Sequence, residues 1–290
     1  MVAFLPCGWG TRTSVMGIVN CTPDSFSGDG QSDAARAIAH GLRLAEEGAD
    51  LLDVGGESTR PGATPVTAEE ELRRILPVVA ALAARAGVPV SIDTSKAVVA
   101  EAALAAGAAV VNDVWALRRD PALAGVIARN NAGAIVMHAH SANAASSALG
   151  GHYPQVEYDR GDVVAAVGDA LEGYVARAEA AGIPRDHLII DPGIGFGKGV
   201  AQNLALLRRL GELKARRGLR GLPLLLGTSR KSVIGLTLDL PVEERLEGTL
   251  ATLALGIAQG VDIVRVHDVR AAVRCCRMAD AIVRGEVTGT

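Results

Sequence analysis

Leu51-Leu52-Asp53-Val54, a helical stretch opening at Thr67-Ala68-Glu69-Glu70, and Val88-Pro89-Val90-Ser91-Ile92-Asp93 form the strand, helix and strand whose reading decides the fold. Neither aliphatic run shows the strict polar alternation of a strand with one wet face, so both read as strands covered on two sides in a parallel sheet. Thr67 and Glu70 stand three apart as a capping box, which places a helix start between them. Six further aliphatic runs lie at 15–19, 108–111, 134–137, 188–190, 223–226 and 263–266, which brings the total to eight. Helical spacing fills the intervals, as in Ala34, Ile38, Leu42 and Ala45. Asp120 before Pro121 reads as a second helix start, and Gly48, Gly107, Gly182 and Gly260 as left-handed helix ends.

Eight units in 290 residues is roughly 36 residues each, the size of one βα repeat. The expected fold is an α/β single (β/α)8 TIM barrel. An open doubly wound sheet is the alternative, but it ordinarily carries a glycine-rich first turn, and the first turn here is Asn20-Cys21-Thr22-Pro23-Asp24-Ser25-Phe26. No linker-like stretch divides the chain. The expected organisation is a short N-terminal extension over 1–13 and one barrel domain over 14–290, with a long loop over 141–161 after the fifth strand.

An apolar fraction of 49% with 21% charged residues is globular composition. A net charge of −3 supplies no basic field for nucleic acid or an anionic membrane, so any anion site has to be local. The four cysteines form no CxxC pair, which fits reduced thiols in a cytoplasmic protein. Neither a signal peptide nor a run of about 18 apolar residues is visible.

In a barrel the chemistry sits where the strands end. The residues there are Asn20, Asp53 with Glu57, Asp93, Asn112, His138, Asp191, Ser229 with Lys231, and Arg265 with His267. Asp93, Asn112 and Asp191 offer carboxylate and amide groups to a flat, nitrogen-rich ring, while Arg60, Lys231, Arg265 and His267 offer positive charge to an anion. A ligand that is part ring and part anion matches that set. Gly193-Ile194-Gly195-Phe196-Gly197-Lys198 fits neither a dinucleotide fingerprint nor a phosphate loop, and Trp9 and Trp115 read as packing residues.

Several longer motifs are specific: Asn20-Cys21-Thr22-Pro23-Asp24-Ser25-Phe26-Ser27, Asp53-Val54-Gly55-Gly56-Glu57-Ser58-Thr59-Arg60-Pro61-Gly62, Ser91-Ile92-Asp93-Thr94, Asp191 through Lys198, Ser229-Arg230-Lys231 and Arg265-Val266-His267-Asp268. Over about residues 14 to 285 the chain resembles the dihydropteroate synthases of the pterin-binding enzyme family. The resemblance implies a transferase that joins 6-hydroxymethyl-7,8-dihydropterin diphosphate to 4-aminobenzoate with Mg²⁺ as cofactor. It implies a pterin site of Asp93, Asn112, Met137, Asp191 and Lys231, and a diphosphate site of Asn20, Thr59, Arg265 and His267, with Asn20 also on the metal. It further implies an aminobenzoate site of Thr59, Arg60, Pro61, Phe196 and Ser229. Asp93, Lys231, Arg265 and His267 are the implied catalytic residues, and a homodimer is the implied assembly, with the apolar stretch 250–257 a candidate contact.

Asp53 reads as a buried hydrogen-bonded support, and Lys198 and Arg230 as solvated charges at helix entries. Ala139-His140-Ser141 after His138, and Trp115 after Asn112, depart from the family pattern at the rim of the pterin pocket. The loops 21–30 and 55–65 are glycine-bearing and read as lids. Two other functions suit a pterin-binding barrel: a methyltransferase of the methyltetrahydrofolate and corrinoid type, and a non-catalytic paralogue.

Overall fold

The computed structural model describes residues 10–21, 30–57, 65–139 and 161–285. Strands and helices alternate through the first half of the chain: β1 (Ser14–Asn20), α1 (Gly30–Glu46), β2 (Leu51–Gly55), α2 (Ala68–Arg85), β3 (Val90–Asp93), α3 (Ala97–Ala105), β4 (Val110–Asp113) and α4 (Leu123–Arg129). The second half continues with β5 (Gly133–Met137), α5 (Val163–Ala180), β6 (Leu188–Asp191), α6 (Val200–Arg208), α7 (Leu210–Ala215), β7 (Leu225–Leu226), α8 (Ser232–Leu238), α9 (Leu246–Ala258), β8 (Ile263–Val266) and α10 (Val269–Arg284).

All strand pairs are parallel, in the order β6-β5-β4-β3-β2-β1-β8-β7. An Ile190 to Leu224 bridge joins the two outer strands and makes the sheet a nearly closed (β/α)8 barrel. The seam is narrow because β7 is two residues long.

Side chains alternate across a strand, so one parity of each strand faces the barrel axis. Met16, Leu51, Val110, Ile135, Ile189, Leu225 and Ile263 share that parity and pack into one buried cluster inside the barrel. Two residues further along their strands, at the carboxyl ends, the same parity gives Asp53, Asn112, Met137, Asp191 and Arg265. An apolar floor thus lies directly beneath a layer that is polar except where Met137, and Ile18 above Met16, keep it apolar. The opposite parity, including Leu52, Val54, Ile92 and Val111, packs outward against the helices in the main core.

The amino end of the barrel is closed by charges. Asp50 accepts from Arg12 at 2.9 and 2.5 Å and from the Val15 amide at 2.9 Å. Thr13 donates its amide and hydroxyl to Asp280, both at 2.8 Å, and Arg284 donates to Val261 O at 2.7 Å. The stretch before β1 is therefore fastened to the last helix.

The Thr67 hydroxyl accepts from the Glu70 amide at 3.3 Å, one half of the capping box, while the Glu70 carboxylate turns to Arg73 and Arg74, each at 2.7 Å, instead of back to the Thr67 amide. Gly48, Gly107, Gly182 and Gly260 all have φ between +90° and +106°. Two boundaries differ from the sequence reading. The third strand begins at Val90, since Pro89 has no N–H to give a ladder. The fourth helix begins at Leu123, and Asp120 caps the turn that leads into it: one oxygen accepts from Ala122 N at 3.0 Å, while the other accepts from Ala97 N of α3 at 2.8 Å. The loop expected over 141–161 lies outside the described residues apart from Gly161. Among the described residues no helix is long and apolar enough to cross a membrane.

Candidate active site

Strand parity brings one charged lattice to the mouth. Arg265 on β8 donates from Nε to Asp53 Oδ2 at 2.6 Å and from Nη2 to Asp93 Oδ2 at 2.9 Å. Asn112 on β4 donates to the same Asp53 oxygen at 2.9 Å. Asp53 is completely buried on β2, so a single carboxylate aligns two side chains of the proposed site from two other strands. The sequence reading of Asp53 as a buried support fits this geometry. Burial opposes the charge of Arg265, but the pull of Asp53 and Asp93 outweighs it and holds the guanidinium above its ordinary range. Burial pushes Asp93 up to about 8, with Arg265 drawing it back down.

Across the mouth, the segment after β6 turns back on itself. Asp191 is buried, and its Oδ1 accepts from the Gly193 amide at 2.7 Å. Gly193 has φ +66°, and a Cβ there would lie 1.8 Å from His138 O, so only glycine lets this loop touch the end of β5. That packing is what the glycine-rich motif serves. Burial raises the Asp191 carboxyl above the ordinary range, opposed by Lys231. Lys231 donates to Ile194 O at 2.5 Å and stands 4.7 Å from the centroid of the Phe196 ring. Burial lowers Lys231 to about 8, with Asp191 supporting its charge.

Lys198 corrects the sequence reading. It is 2% exposed, and its Nζ donates to Gly193 O at 2.8 Å, Phe196 O at 3.1 Å and His138 O at 3.2 Å. Arg230 is exposed as expected, with φ +58°, and it forms a two-bond pair with Asp268 at 2.9 and 2.5 Å. Ser229 Oγ lies 3.0 Å from His267 Nδ1 and also accepts from the His267 amide at 3.1 Å, so the serine orients the histidine.

An apolar shelf completes the mouth. Val114, Met137 and Ala139 are buried together, with Trp115 and Phe196 packed against them. Trp115 and Ala139, two departures from the family pattern, therefore belong to one wall. Asp113 shapes this edge by accepting from Trp115 N at 3.0 Å and Leu117 N at 2.6 Å, around two left-handed residues, Ala116 (φ +52°) and Leu117 (φ +60°). Burial pushes Asp113 up to about 6.

The structure thus brings together Asp93, Asn112 and Arg265 in one network and Asp191, Phe196 and Lys231 in another. Ser229 pairs with His267, Met137 lies on the shelf, and Asn20 ends β1 half-buried. Thr59, Arg60, Pro61 and His140 lie outside the described residues, as do most of the two loops read as lids. Sequence reasoning left out Asp53 and Lys198. A charge inside an aliphatic run signals the first, whereas spacing gives no signal for the second. Among the described residues no three His, Cys, Asp or Glu side chains cluster as a metal cage.

The profile of the family described as pterin binding enzyme matches residues 16–267. The chain belongs to the dihydropteroate synthase family of pterin-binding enzymes. The dihydropteroate synthase of Bacillus subtilis is 44% identical over 272 residues, spanning 93% of this chain and 89% of that protein. The crystal structure of the dihydropteroate synthase of Clostridium difficile, obtained in the presence of pteroic acid, superposes with a TM-score of 0.87 at 46% identity, covering 96% of this chain and 99% of that one. The Xanthomonas albilineans dihydropteroate synthase with 4-aminobenzoic acid gives a TM-score of 0.83 at 47% identity, covering 93% of each chain.

Proposed function

We propose that the chain is a transferase that condenses 6-hydroxymethyl-7,8-dihydropterin diphosphate with 4-aminobenzoate to give 7,8-dihydropteroate and diphosphate. The observation that carries this reading is one barrel mouth holding carboxylates and an amide beside cations: Asp93, Asn112 and Asp191 with Arg265, Lys231 and His267. Family membership and relatives crystallised with 4-aminobenzoic acid and pteroic acid support it.

In this reading Asp191 accepts from the amino and ring N–H edge of the pterin, because a carboxylate presents two acceptor oxygens to two parallel donors. Asn112, held by Asp53, and Asp93 take the opposite edge, while Met137 and the apolar shelf cover the ring. Arg265, His267 and Asn20 receive the diphosphate. Phe196, Ser229 and the residues Thr59, Arg60 and Pro61 form the aminobenzoate side.

Chemistry begins when the bond from the pterin methylene to the diphosphate oxygen breaks and the diphosphate leaves with the electron pair. Arg265 and His267 stabilise the charge that builds on it. The electron-rich ring eases the positive charge left on the methylene, helped by the Asp93 carboxyl in the fraction of molecules where Arg265 holds it ionised. The aromatic amine is neutral at pH 7 and attacks that carbon, then gives up one proton to water, so no strong base is needed.

Mg²⁺ suits the donor set: it keeps most of its water and binds through one or two protein oxygens plus phosphate, and Asn20 offers such an oxygen at the end of β1. When bound, it supplies Lewis-acid stabilisation to the departing diphosphate. The enzyme acts in the cytoplasm as a homodimer. Leu255 on α9 and Met278 and Ile282 on the neighbouring α10 are 67%, 63% and 72% exposed and offer an apolar surface for a second copy. Leu253 and Ile257, in the same 250–257 stretch, are instead buried in the core.

The decisive experiment is diphosphate release with each substrate alone and with both. Release that requires both supports the synthase reading. Continuous turnover at the same rate without the arylamine, or no release at all, overturns it.

A further inference from the structure

The sixth strand's exit is pinned at every peptide from Gly193 to Phe196. Gly193 N donates to Asp191, and Ile194 O accepts from Lys231. Gly195 N donates to Asn203 Oδ1 at 2.8 Å, and Asn203 Nδ2 returns to Lys198 O at 2.9 Å. Lys198 takes the carbonyls at both ends of this stretch, Gly193 and Phe196, and ties them to His138 at the end of β5.

An ammonium has three N–H donors and no acceptor, and here each donor meets one peptide carbonyl. A methionine would fill similar volume without removing a charge from water. What the ammonium adds is direction: three fixed vectors that hold two loops in one relation. Burial lowers Lys198 to about 7, the expected response of a cation kept out of water by a rigid surround.

We infer that Lys198 is a positioning residue for the pterin side of the pocket, fastening the β6 exit to the end of β5 and so fixing Asp191, Phe196 and Lys231. The inference rests on the proposed function for the identity of the ligand. Lys198 itself is too buried to meet substrate and acts through those three side chains. Arg265 and His267 are oriented by Asp53, Asp93 and Ser229, none of which has a hydrogen bond to Lys198. The two halves of the pocket are therefore separable in a binding experiment.

The test compares the full-length wild type with Lys198→Met and Lys198→Gln, titrating 6-hydroxymethylpterin and, separately, inorganic diphosphate with Mg²⁺. The expected result for Lys198→Met is at least tenfold weaker pterin binding, with diphosphate affinity within twofold of wild type. Lys198→Gln, which keeps two donors on a shorter stem, is expected to fall between. Unchanged pterin affinity, or equal losses for both ligands, would overturn the inference. If Lys198→Met fails to fold, the same two outcomes in Lys198→Gln decide the matter. Because the readout is binding, a wild type that released no diphosphate would overturn the proposed function and leave this comparison standing.

Discussion

On the side of the mouth built by β2, β3, β4 and β8, charged groups are held by other side chains, as Arg265 is by Asp53 and Asp93. On the side built by β5, β6 and the segment after β7, they are held by peptide groups, as Lys198 is by three carbonyls. Asp113, at the end of β4, follows the second pattern with the sign reversed, since a carboxylate there accepts from two peptide N–H groups. A lattice of side chains on four strands is fixed by the register of the sheet. A loop held to a buried charge is fixed by that charge. The first arrangement should therefore fail through stability and the second through ligand geometry and pH.

Removing the hub of the side-chain lattice tests this most severely. Asp53→Ala leaves Arg265 without its 2.6 Å partner and Asn112 without its acceptor. Breaking a buried ion pair from one side costs about 3 to 5 kcal/mol, so urea unfolding is expected to show a loss of that size. A loss under about 1 kcal/mol, the range of an exposed pair, would mean the lattice is not what fixes this side.

The peptide-held pattern, wherever it occurs, is expected to declare itself in pH dependence, and Asp113 on β4 is the clearest case. An unfolded aspartate titrates near ~3.9. In the fold, burial moves Asp113 up to about 6. Between those values the native chain binds the proton more tightly than the unfolded one, so the contribution is fully present at acid pH and is lost as pH rises from about 4 through about 6. A shift of two units corresponds to about 3 kcal/mol. Asp113→Asn cannot ionise and should flatten that part of the stability curve; matching slopes in variant and wild type would contradict the assignment.

Asp191→Asn sharpens the comparison at the ligand. A hydrogen bond to a charged group is worth about 1.5 to 3 kcal/mol, so pterin binding is expected to weaken roughly 10- to 150-fold in an intact fold. Calorimetry giving wild-type affinity would remove Asp191 from the pterin site. Arg265→Ala is the subtlest case, because His267 and Asn20 are proposed to share the anion with it. It should weaken the pterin diphosphate at least tenfold more than the pterin alcohol, about 1.4 kcal/mol of discrimination. Equal losses would assign Arg265 to the lattice alone.

The two sides were unequally legible in the sequence. Asn20, Asp53, Asp93, Asn112, Asp191 and Arg265 each end or interrupt an aliphatic run, and period-two alternation places them on the axis without knowledge of any neighbour. The eight-unit barrel followed from the same runs. Lys198 was misread because a lysine before a helix is ordinarily solvated, and nothing in its spacing tells that carbonyls from positions 138 and 193 converge on it. Asp120 was read only in part for a related reason: one oxygen caps the local turn as expected, but the other serves α3, a partner remote in sequence. The strand-end rule sees side chains, whereas these two positions depend on where backbone groups of other loops arrive.

The fastening of Thr13 to Asp280, with Arg284 beside it, places the beginning of the barrel against its last helix at the face opposite the chemistry. In topological terms the described part of the chain, from residue 10 to residue 285, is almost a ring, and a ring has no privileged point of opening. Rejoining the chain across that clasp and cutting it instead in a helix-to-strand turn on the same face, such as the one at Gly107, would give a permuted protein with every carboxyl-end loop in its original order. The position of the break and the composition of the mouth are thereby independent design variables.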